Sequence, residues 1–400
     1  MEGGRRMNKN LFHIDMNSFY ASCEQIRVPH LRNKPIVVGG DPKKRKGIVL
    51  ASSYEAKKQG IFTTMPIWQA IKKCPEVIII PADHEYYKKI SIQVMKLLDQ
   101  YTPLKEQMSI DEACLDMTGS EGIFGNPKET ALMIQRHIQE ELGLPSSIGI
   151  SSNKILAKMA SDMKKPMGIT VLYPKDITKK LWPLPVGKLY GVGSKQRERL
   201  ISSQIFTIGQ LAQYPLERLI QLLGNQIGST LHQYANGIDH RPVISTDTQE
   251  VKSISNEKTF ATDLIHKEEI KREILALAER VGWRVRQTKV QGKTIFIKIK
   301  YYNFQTITRN CTLAAATNVT EVIYKNAWDL FQNNWNHQPI RLLGVGLTNL
   351  GTDSYEQLSL WSTQKETVKK SKKLDQMVDS LREKYGYDIL QRASTIENDR

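Results

Sequence analysis

Two adjacent acids, Asp111 and Glu112, stand in the stretch Gln107-Met-Ser-Ile-Asp-Glu-Ala-Cys-Leu-Asp-Met117. Their flanks are apolar on alternate positions, with Met108 and Ile110 before the pair and Ala113, Leu115 and Met117 after it. That is the period of a half-buried strand or a tight hairpin. Ionised side chains are seldom buried without a partner. A surface turn or a salt bridge would account for such a pair by itself, whereas a metal site needs a further carboxylate from elsewhere in the chain. The best candidate is Asp15, at the end of the strand-like run Leu11-Phe-His-Ile-Asp15. A helix-like segment follows with Phe19, Cys23 and Ile26 on one face, and Asn17 or Ser18 is placed to cap it. Hard divalent cations such as Mg²⁺ favour all-oxygen sites of this kind and hold phosphates on their open positions.

Around these acids the first part of the chain alternates strands and helices, which indicates helices packed on a sheet. Strand signals fall at Pro35–Gly40, Gly47–Leu50 and Ser147–Ile150. Helical spacing marks Ile90, Val94, Leu97, Leu98 and Tyr101, then Ala131, Ile134 and Ile138, then Lys154 to Lys165. A compact basic loop, Lys43-Lys-Arg-Lys46, precedes the helix start Ser53-Tyr-Glu-Ala-Lys57. Tyr54 and Lys57 share a face of that helix, where a hydroxyl beside an ammonium could hold a triphosphate; a merely solvated face is the alternative.

From about Tyr173 strand signals stop. Gly191-Val-Gly193, followed by Lys195, Arg197 and Arg199, resembles a helix-hairpin-helix, whose glycines let backbone N–H groups approach a phosphate; an ordinary helix junction is the alternative. A polar stretch, Asp239 to Val251, reads as a linker. Beyond it the order is strand (about Lys252–Ala261), helix, a hairpin of Thr294–Tyr301 with Gln305–Thr312, a helix near Val319–Trp335 and a strand Ile340–Leu347. This β-α-β-β-α-β order is a known small sandwich. Lys298 and Lys300 share a face opposite Ile297 and Ile299, suited to tracking phosphates without reading bases. The tail from Gly351 is polar apart from the apolar box Gln357-Leu-Ser-Leu-Trp361, the kind of segment that docks in a partner's pocket; folding back on the chain's own core is the alternative. A lysine-rich helix with Leu374, Met377, Val378 and Leu381 on its apolar face is expected after it.

Composition bounds the partners. Lys plus Arg number 57 against 41 acids, a formal charge of +16 in 400 residues. That excess points to a polyanion, nucleic acid ahead of an anionic membrane surface. No apolar run approaches the roughly 18 residues of a spanning helix, and no h-region of a secretory signal follows the charged start. Residues 1–8 read as a disordered extension, and Met7 is an equally good start. Cys23, Cys74, Cys114 and Cys311 lack His companions at zinc spacing and suit a reducing cytoplasm. The absence of a P-loop pattern disfavours an ATP-driven motor.

These segments, in this order, resemble the Y-family DNA polymerases, and among them the bacterial polymerase IV group. The resemblance covers roughly residues 10–361 and rests on Asp15-Met-Asn-Ser-Phe-Tyr20, Ser53-Tyr-Glu-Ala-Lys57, Ser109-Ile-Asp-Glu112, Asn153 to Lys165 ending Asp-Met-Lys-Lys-Pro166, and the Gly191-Val-Gly193 hairpin. It implies an α+β right-hand polymerase: a palm at 9–18 and 84–173, small fingers at 19–83, a helix-hairpin-helix thumb at 174–240, a linker at 241–251, a β-α-β-β-α-β little finger at 252–350 and a tail at 351–400. It implies two Mg²⁺ ions on Asp15, Asp111, Glu112 and the Met16 carbonyl. Tyr20 would be the steric gate against a ribose 2′-hydroxyl, with Tyr54, Lys57 and Lys165 on the triphosphate. Gly191, Gly193, Lys195, Lys298 and Lys300 would meet DNA phosphates, and Gln357, Leu358, Leu360 and Trp361 a sliding clamp.

The implied activity is low-fidelity, template-directed DNA synthesis across lesions by a cytoplasmic monomer, on primer–template DNA and deoxynucleoside triphosphates. The sequence departs from the family pattern at Lys57 (usually Arg, a bidentate fork), at Ala51 (commonly a hydroxylated residue) and at Asn17 (often Asp). None removes an expected metal ligand. Asn17, with Phe-Tyr-Ala-Ser-Cys-Glu24, is also similar to the UmuC branch. A catalytic subunit needing accessory proteins and a non-catalytic scaffold bound to clamp and DNA are therefore the competing readings.

Overall fold

The computed structural model describes residues 9–40, 47–245, 251–352, 365–390 and 392–393. The expected extension 1–8, the basic loop Lys43–Lys46 and the box Gln357–Trp361 lie outside them. The chain divides into two compact units, Met1–Gln249 and Glu250–Arg400.

The first unit opens with β1 (Leu11–Met16) and α1 (Phe19–Arg27). Next come β2 (Ile36–Gly39), β3 (Val49–Ser52), α2 (Tyr54–Lys58), α3 (Ile67–Lys73) and β4 (Ile78–Pro81). Strands β2 to β4 form a small sheet in the order β3-β2-β4. The chain then runs through α4 (His84–Leu98), β5 (Lys105–Gln107), β6 (Glu112–Asp116), α5 (Glu121–Phe124), α6 (Pro127–Leu142), β7 (Ser146–Ser151), α7 (Lys154–Met163) and β8 (Ile169–Val171). Here the sheet order is β5-β6-β1-β7-β8, with β1 in the middle.

Strand alternation decides what β1 does. Phe12, Ile14 and Met16 sink into the core with Leu115, Ile148, Leu98 and Ile134. His13 and Asp15 point to the other face, where α7 lies. That helix sits so close that a Cβ on Gly149 would come 2.0 Å from the Ala157 carbonyl oxygen and 2.4 Å from the Ser161 nitrogen. Only glycine permits this contact, and the contact is what brings the α7 side chains onto Asp15. The far side of α7 carries Ile155, Leu156 and Met159 into a second core shared with α8 (Ser194–Ser202), α9 (Ile208–Gln213), α10 (Leu216–Leu223) and α11 (Asn225–Ala235).

The local readings need three adjustments. Helix α7 ends at Met163 rather than Lys165, because the residue before Pro166 is steered away from helical angles. Neither Asn17 nor Ser18 caps α1. Ser18 occupies the N-cap position at φ 50° with no side-chain capping bond, and its hydroxyl accepts instead from Lys57 Nζ at 2.7 Å. Helix α4 starts earlier than its apolar spacing implied, at His84, because Asp83 Oδ1 accepts from the Tyr86 N–H.

The second unit contains β9 (Ser253–Leu264), α12 (Lys267–Gln287), β10 (Gln291–Tyr301), β11 (Thr306–Thr317), α13 (Thr320–Asn334), β12 (Ile340–Gly351) and α14 (Lys365–Tyr385). Its antiparallel sheet has the order β11-β10-β12-β9. Ile295, Ile297 and Ile299 face α12 and α13, and Phe296, Lys298 and Lys300 face away from them. Helix α14 docks by its polar side. Arg286 Nε meets Asp379 at 2.6 Å and its Nη1 meets Asp375 at 3.1 Å, whereas Leu374, Met377 and Leu381, the expected apolar face, are exposed.

Candidate active site

Register brings the three acids together. Asp15 pairs with Glu112 across β1 and β6, and the Met16 N–H donates to the Asp111 carbonyl at 3.0 Å. Residues nearly a hundred positions apart in sequence thus share one strand end. From the other side come two cations, Lys158 on α7 and Lys165 just past its end. Lys158 Nζ lies 2.6 Å from Glu112 Oε1, 3.2 Å from Asp15 Oδ2 and 3.3 Å from Asp162 Oδ2. Lys165 Nζ lies 2.7 Å from Asp15 Oδ2 and 2.8 Å from Asp162 Oδ1.

Burial raises Glu112 to about 7, with Asp15 adding to the rise and Lys158 opposing it. Asp111 is also raised, by burial first and by Asp15, against the Ser109 hydroxyl that donates to its Oδ1 at 2.6 Å. Asp15 goes the other way. Burial would lift it, but Lys165 and Lys158 together hold it below the usual carboxylate range. His13, wholly buried beneath the acids, is lowered to about 3 by burial and then by Lys158, and so stays neutral.

The nucleotide-side candidates converge on the same place. Tyr20 is stacked on Tyr87, ring centroids 4.3 Å apart at 16°, and its hydroxyl is raised by burial and then by Asp111. Lys57 Nζ rests 4.5 Å from the centre of the Tyr54 ring. Burial and then Lys165 lower Lys57, with Asp15 opposing; burial raises Tyr54 against the pull of Lys165. Both residues thus feel the carboxylate cluster. Asn17 is a brace rather than a ligand. Its amide donates to Ser147 Oγ at 3.0 Å and its Oδ1 accepts from the Met167 N–H at 2.8 Å. An aspartate could make only the second of these bonds.

The impB/mucB/samB family model matches residues 14–162, the model of that family's C-terminal domain residues 251–360, and a DNA polymerase-iota thumb-domain model residues 187–239. A DNA polymerase IV of Clostridium kluyveri is 46% identical over 98% of this chain and 99% of that protein. DNA polymerase IV 1 of Bacillus subtilis is 44% identical over 97% of this chain and 94% of that protein. The chain belongs to the Y-family DNA polymerases. Its fold agrees: a solved Y-family DNA polymerase chimera superposes with a TM-score of 0.76 at 24% identity, over 86% of this chain and 100% of that one. Neither the accessory-dependent subunit nor the non-catalytic scaffold is favoured by relatives that carry the name of a polymerase. Y-family enzymes are metal-dependent nucleotidyltransferases, and the donor set here fits that requirement. Asp15, Asp111, Glu112 and Asp162 offer hard oxygens, two ammonium groups among the described residues pair with them, and two of the acids are held toward protonation.

Among the described residues no three His, Cys, Asp or Glu side chains are gathered into a finished metal cage. Lys158 and Lys165 lie on Asp15 and Glu112 instead, and Asp111 is turned to Ser109. Away from this Y-family site, Gly191 at φ 91° and Gly193 at the N-cap leave the first turn of α8 open beside an exposed Lys195. In the second unit Lys298 pairs with Glu257 at 2.9 Å, and Lys300 Nζ lies 4.8 Å from the centre of the Phe304 ring. No role for Lys158, Asp162 or His13 follows from the sequence motifs. The i, i+4, i+7 spacing of Lys158, Asp162 and Lys165 was the available signal.

Lys158 therefore acts as a built-in counter-charge. Replacing it (Lys158→Met) strips the acids of a buried partner, so unfolding in EDTA is expected to cost on the order of 3 kcal/mol less than for the wild type. Millimolar Mg²⁺ should restore most of that stability in chemical denaturation of the first unit; an equal deficit with and without Mg²⁺ would show that the ammonium does not stand in for a metal.

Proposed function

We propose that Asp15, Asp111 and Glu112, with the Met16 carbonyl, hold two Mg²⁺ ions beneath an incoming deoxynucleoside triphosphate. The chain is a template-directed, translesion DNA polymerase, a nucleotidyltransferase acting on DNA and nucleotides. One observation carries the site assignment: the pairing of Asp15 with Glu112 at the strand end where the Asp111 carbonyl takes the Met16 N–H. When bound, the ions supply the positive charge that favours the attacking 3′-oxygen and the leaving pyrophosphate.

The remaining work falls to the chain's own side chains. Lys165, now on Asp15, turns to the triphosphate together with Lys57 and the Tyr54 hydroxyl. Lys57 grips as a point charge rather than a fork. Tyr20, fixed by its stack on Tyr87, presents a flat ring where a ribose 2′-hydroxyl would lie. The subdomain limits follow the family scheme: palm 9–18 and 84–173, fingers 19–83, thumb 174–240, linker 241–251, little finger 252–350. Gly191, Gly193 and Lys195 in the thumb and Lys298 and Lys300 in the little finger grip phosphates. The protein works as a cytoplasmic monomer tethered to a sliding clamp through Gln357, Leu358, Leu360 and Trp361. No helix among the described residues is long and apolar enough to cross a membrane.

Asp111→Ala is expected to lower primer extension by at least about 10³-fold while primer–template affinity, read by fluorescence anisotropy, stays within about twofold. Retained synthesis would refute the metal assignment. Tyr20→Ala should admit ribonucleotides, seen as a lower ratio of deoxy- to ribonucleotide kcat/KM; an unchanged ratio would place the gate elsewhere. Deleting Gln357–Trp361 should spare distributive synthesis and remove stimulation by the clamp, so persisting stimulation would mean a different tether.

A further inference from the structure

We propose that His13 is a positioning residue for Glu112: its imidazole, as the Nε2–H tautomer, donates to the Glu112 carboxylate from beneath while the Ser161 hydroxyl holds Nδ1. The inference rests on the reading of Glu112 as a metal ligand and adds a residue to that site. His13 has no exposed surface. Its Nδ1 lies 3.0 Å from Ser161 Oγ, and its Nε2 lies 3.8 Å from Glu112 Oε2 with no hydrogen-bond partner. A buried ring nitrogen left alone beside a carboxylate calls for an explanation.

With Glu112 ionised against the Lys158 ammonium 2.6 Å away, two proton arrangements are open, because the Ser161 hydroxyl has a single proton. In the first, Ser161 donates to the Lys158 carbonyl, from which it lies 2.8 Å, and accepts from Nδ1–H. A bare Nε2 lone pair then faces the anionic Glu112, acceptor against acceptor, at a nitrogen that water does not reach. In the second, Ser161 donates to Nδ1, which places the proton on Nε2 and aims an N–H at the carboxylate. The Lys158 carbonyl loses little, since it lies inside α7 and keeps its helical partner. The second arrangement turns a repulsion into a charge-assisted hydrogen bond, and a small side-chain rotation closes the gap.

Glu112 is then held at both oxygens from one side, Oε1 by Lys158 at 2.6 Å and Oε2 by His13. Each carboxylate oxygen keeps a further lone pair for a cation. A fixed partner behind a ligand sets its orientation, and losing such a partner weakens metal binding by about 10–100-fold.

The full-length protein with ¹⁵N-labelled histidine, metal-free, gives the direct test. Long-range ¹H–¹⁵N correlations should show the Nε2–H pattern for His13, identified as the signal lost in His13→Gln. An Nδ1–H pattern overturns the proposal on wild-type protein alone, whatever the variants do. Mn²⁺ titration followed by electron paramagnetic resonance supplies the second test. Glutamine places its amide nitrogen where Nε2 stood and asparagine where Nδ1 stood. His13→Gln should bind Mn²⁺ within about threefold of wild type, and His13→Asn and His13→Leu about 10-fold more weakly. Equal loss in all three would reduce His13 to packing and sink the idea. Unaltered Mn²⁺ affinity in Asp111→Ala would overturn the metal assignment instead, and the proposal with it, even with the Nε2–H tautomer observed.

Discussion

Negative charge crowded at the end of a buried strand is the constraint to which the first unit answers. Asp15 and Glu112 face each other across two strands, and water cannot reach them freely enough to screen their repulsion. The fold's reply is a helix pressed onto the sheet at Gly149, which delivers Lys158 and, just past its end, Lys165. The charge is only partly balanced. Burial keeps two carboxyls, Asp111 and Glu112, raised. The same helix stabilises its neighbours through its other side, where Ile155, Leu156 and Met159 enter the helical core. Chemistry and packing thus use opposite faces of one element.

The alternation of β1 explains how a polar site survives in an apolar sheet. Every second residue is core, and the intervening ones are the functional face, with His13 one step behind Asp15 along the strand. Lys154 extends that face on α7 by pairing with Glu106 at 2.6 Å, both nearly buried. A row of lysines on a helix looks solvated in the sequence. Here Lys154 and Lys158 of that row are buried, and each has an acid on the adjoining sheet.

Much of this was legible from residue pattern. The acids, the strand–helix alternation, the all-helical stretch after Tyr173 and the β-α-β-β-α-β unit follow from period and breakers, and the alternation of Ile295, Ile297 and Ile299 with Lys298 and Lys300 was read correctly. Short elements were not. Strand β5 is Lys-Glu-Gln, with no apolar residue to mark it, and β8 has three residues held by pairing with β7. The docking side of α14 was illegible for another reason. Its apolar stripe suggested burial, but Arg286 offered a charged pocket that Asp375 and Asp379 fill better. Lys158 escaped notice because its local partner Asp162 reads as an ordinary i, i+4 surface pair, while Asp15 and Glu112 lie more than forty residues away, where no local rule pairs them with a helix lysine.

Lys298, proposed above to meet a DNA phosphate, already has an acid partner. It reaches across Gly344, which puts no side chain in the way, to hold Glu257 on the third strand. Were a phosphate to take that lysine, the sodium or potassium ion freed from the duplex would be partly offset by one drawn to the bared glutamate. The contact then contributes less to the ionic-strength dependence of binding than a lysine with no acid partner would. Lys300, resting on the Phe304 ring, carries no such offset. Two lysines on one sheet face thereby differ in partner, an acid on the third strand for Lys298 and a ring in the adjoining turn for Lys300.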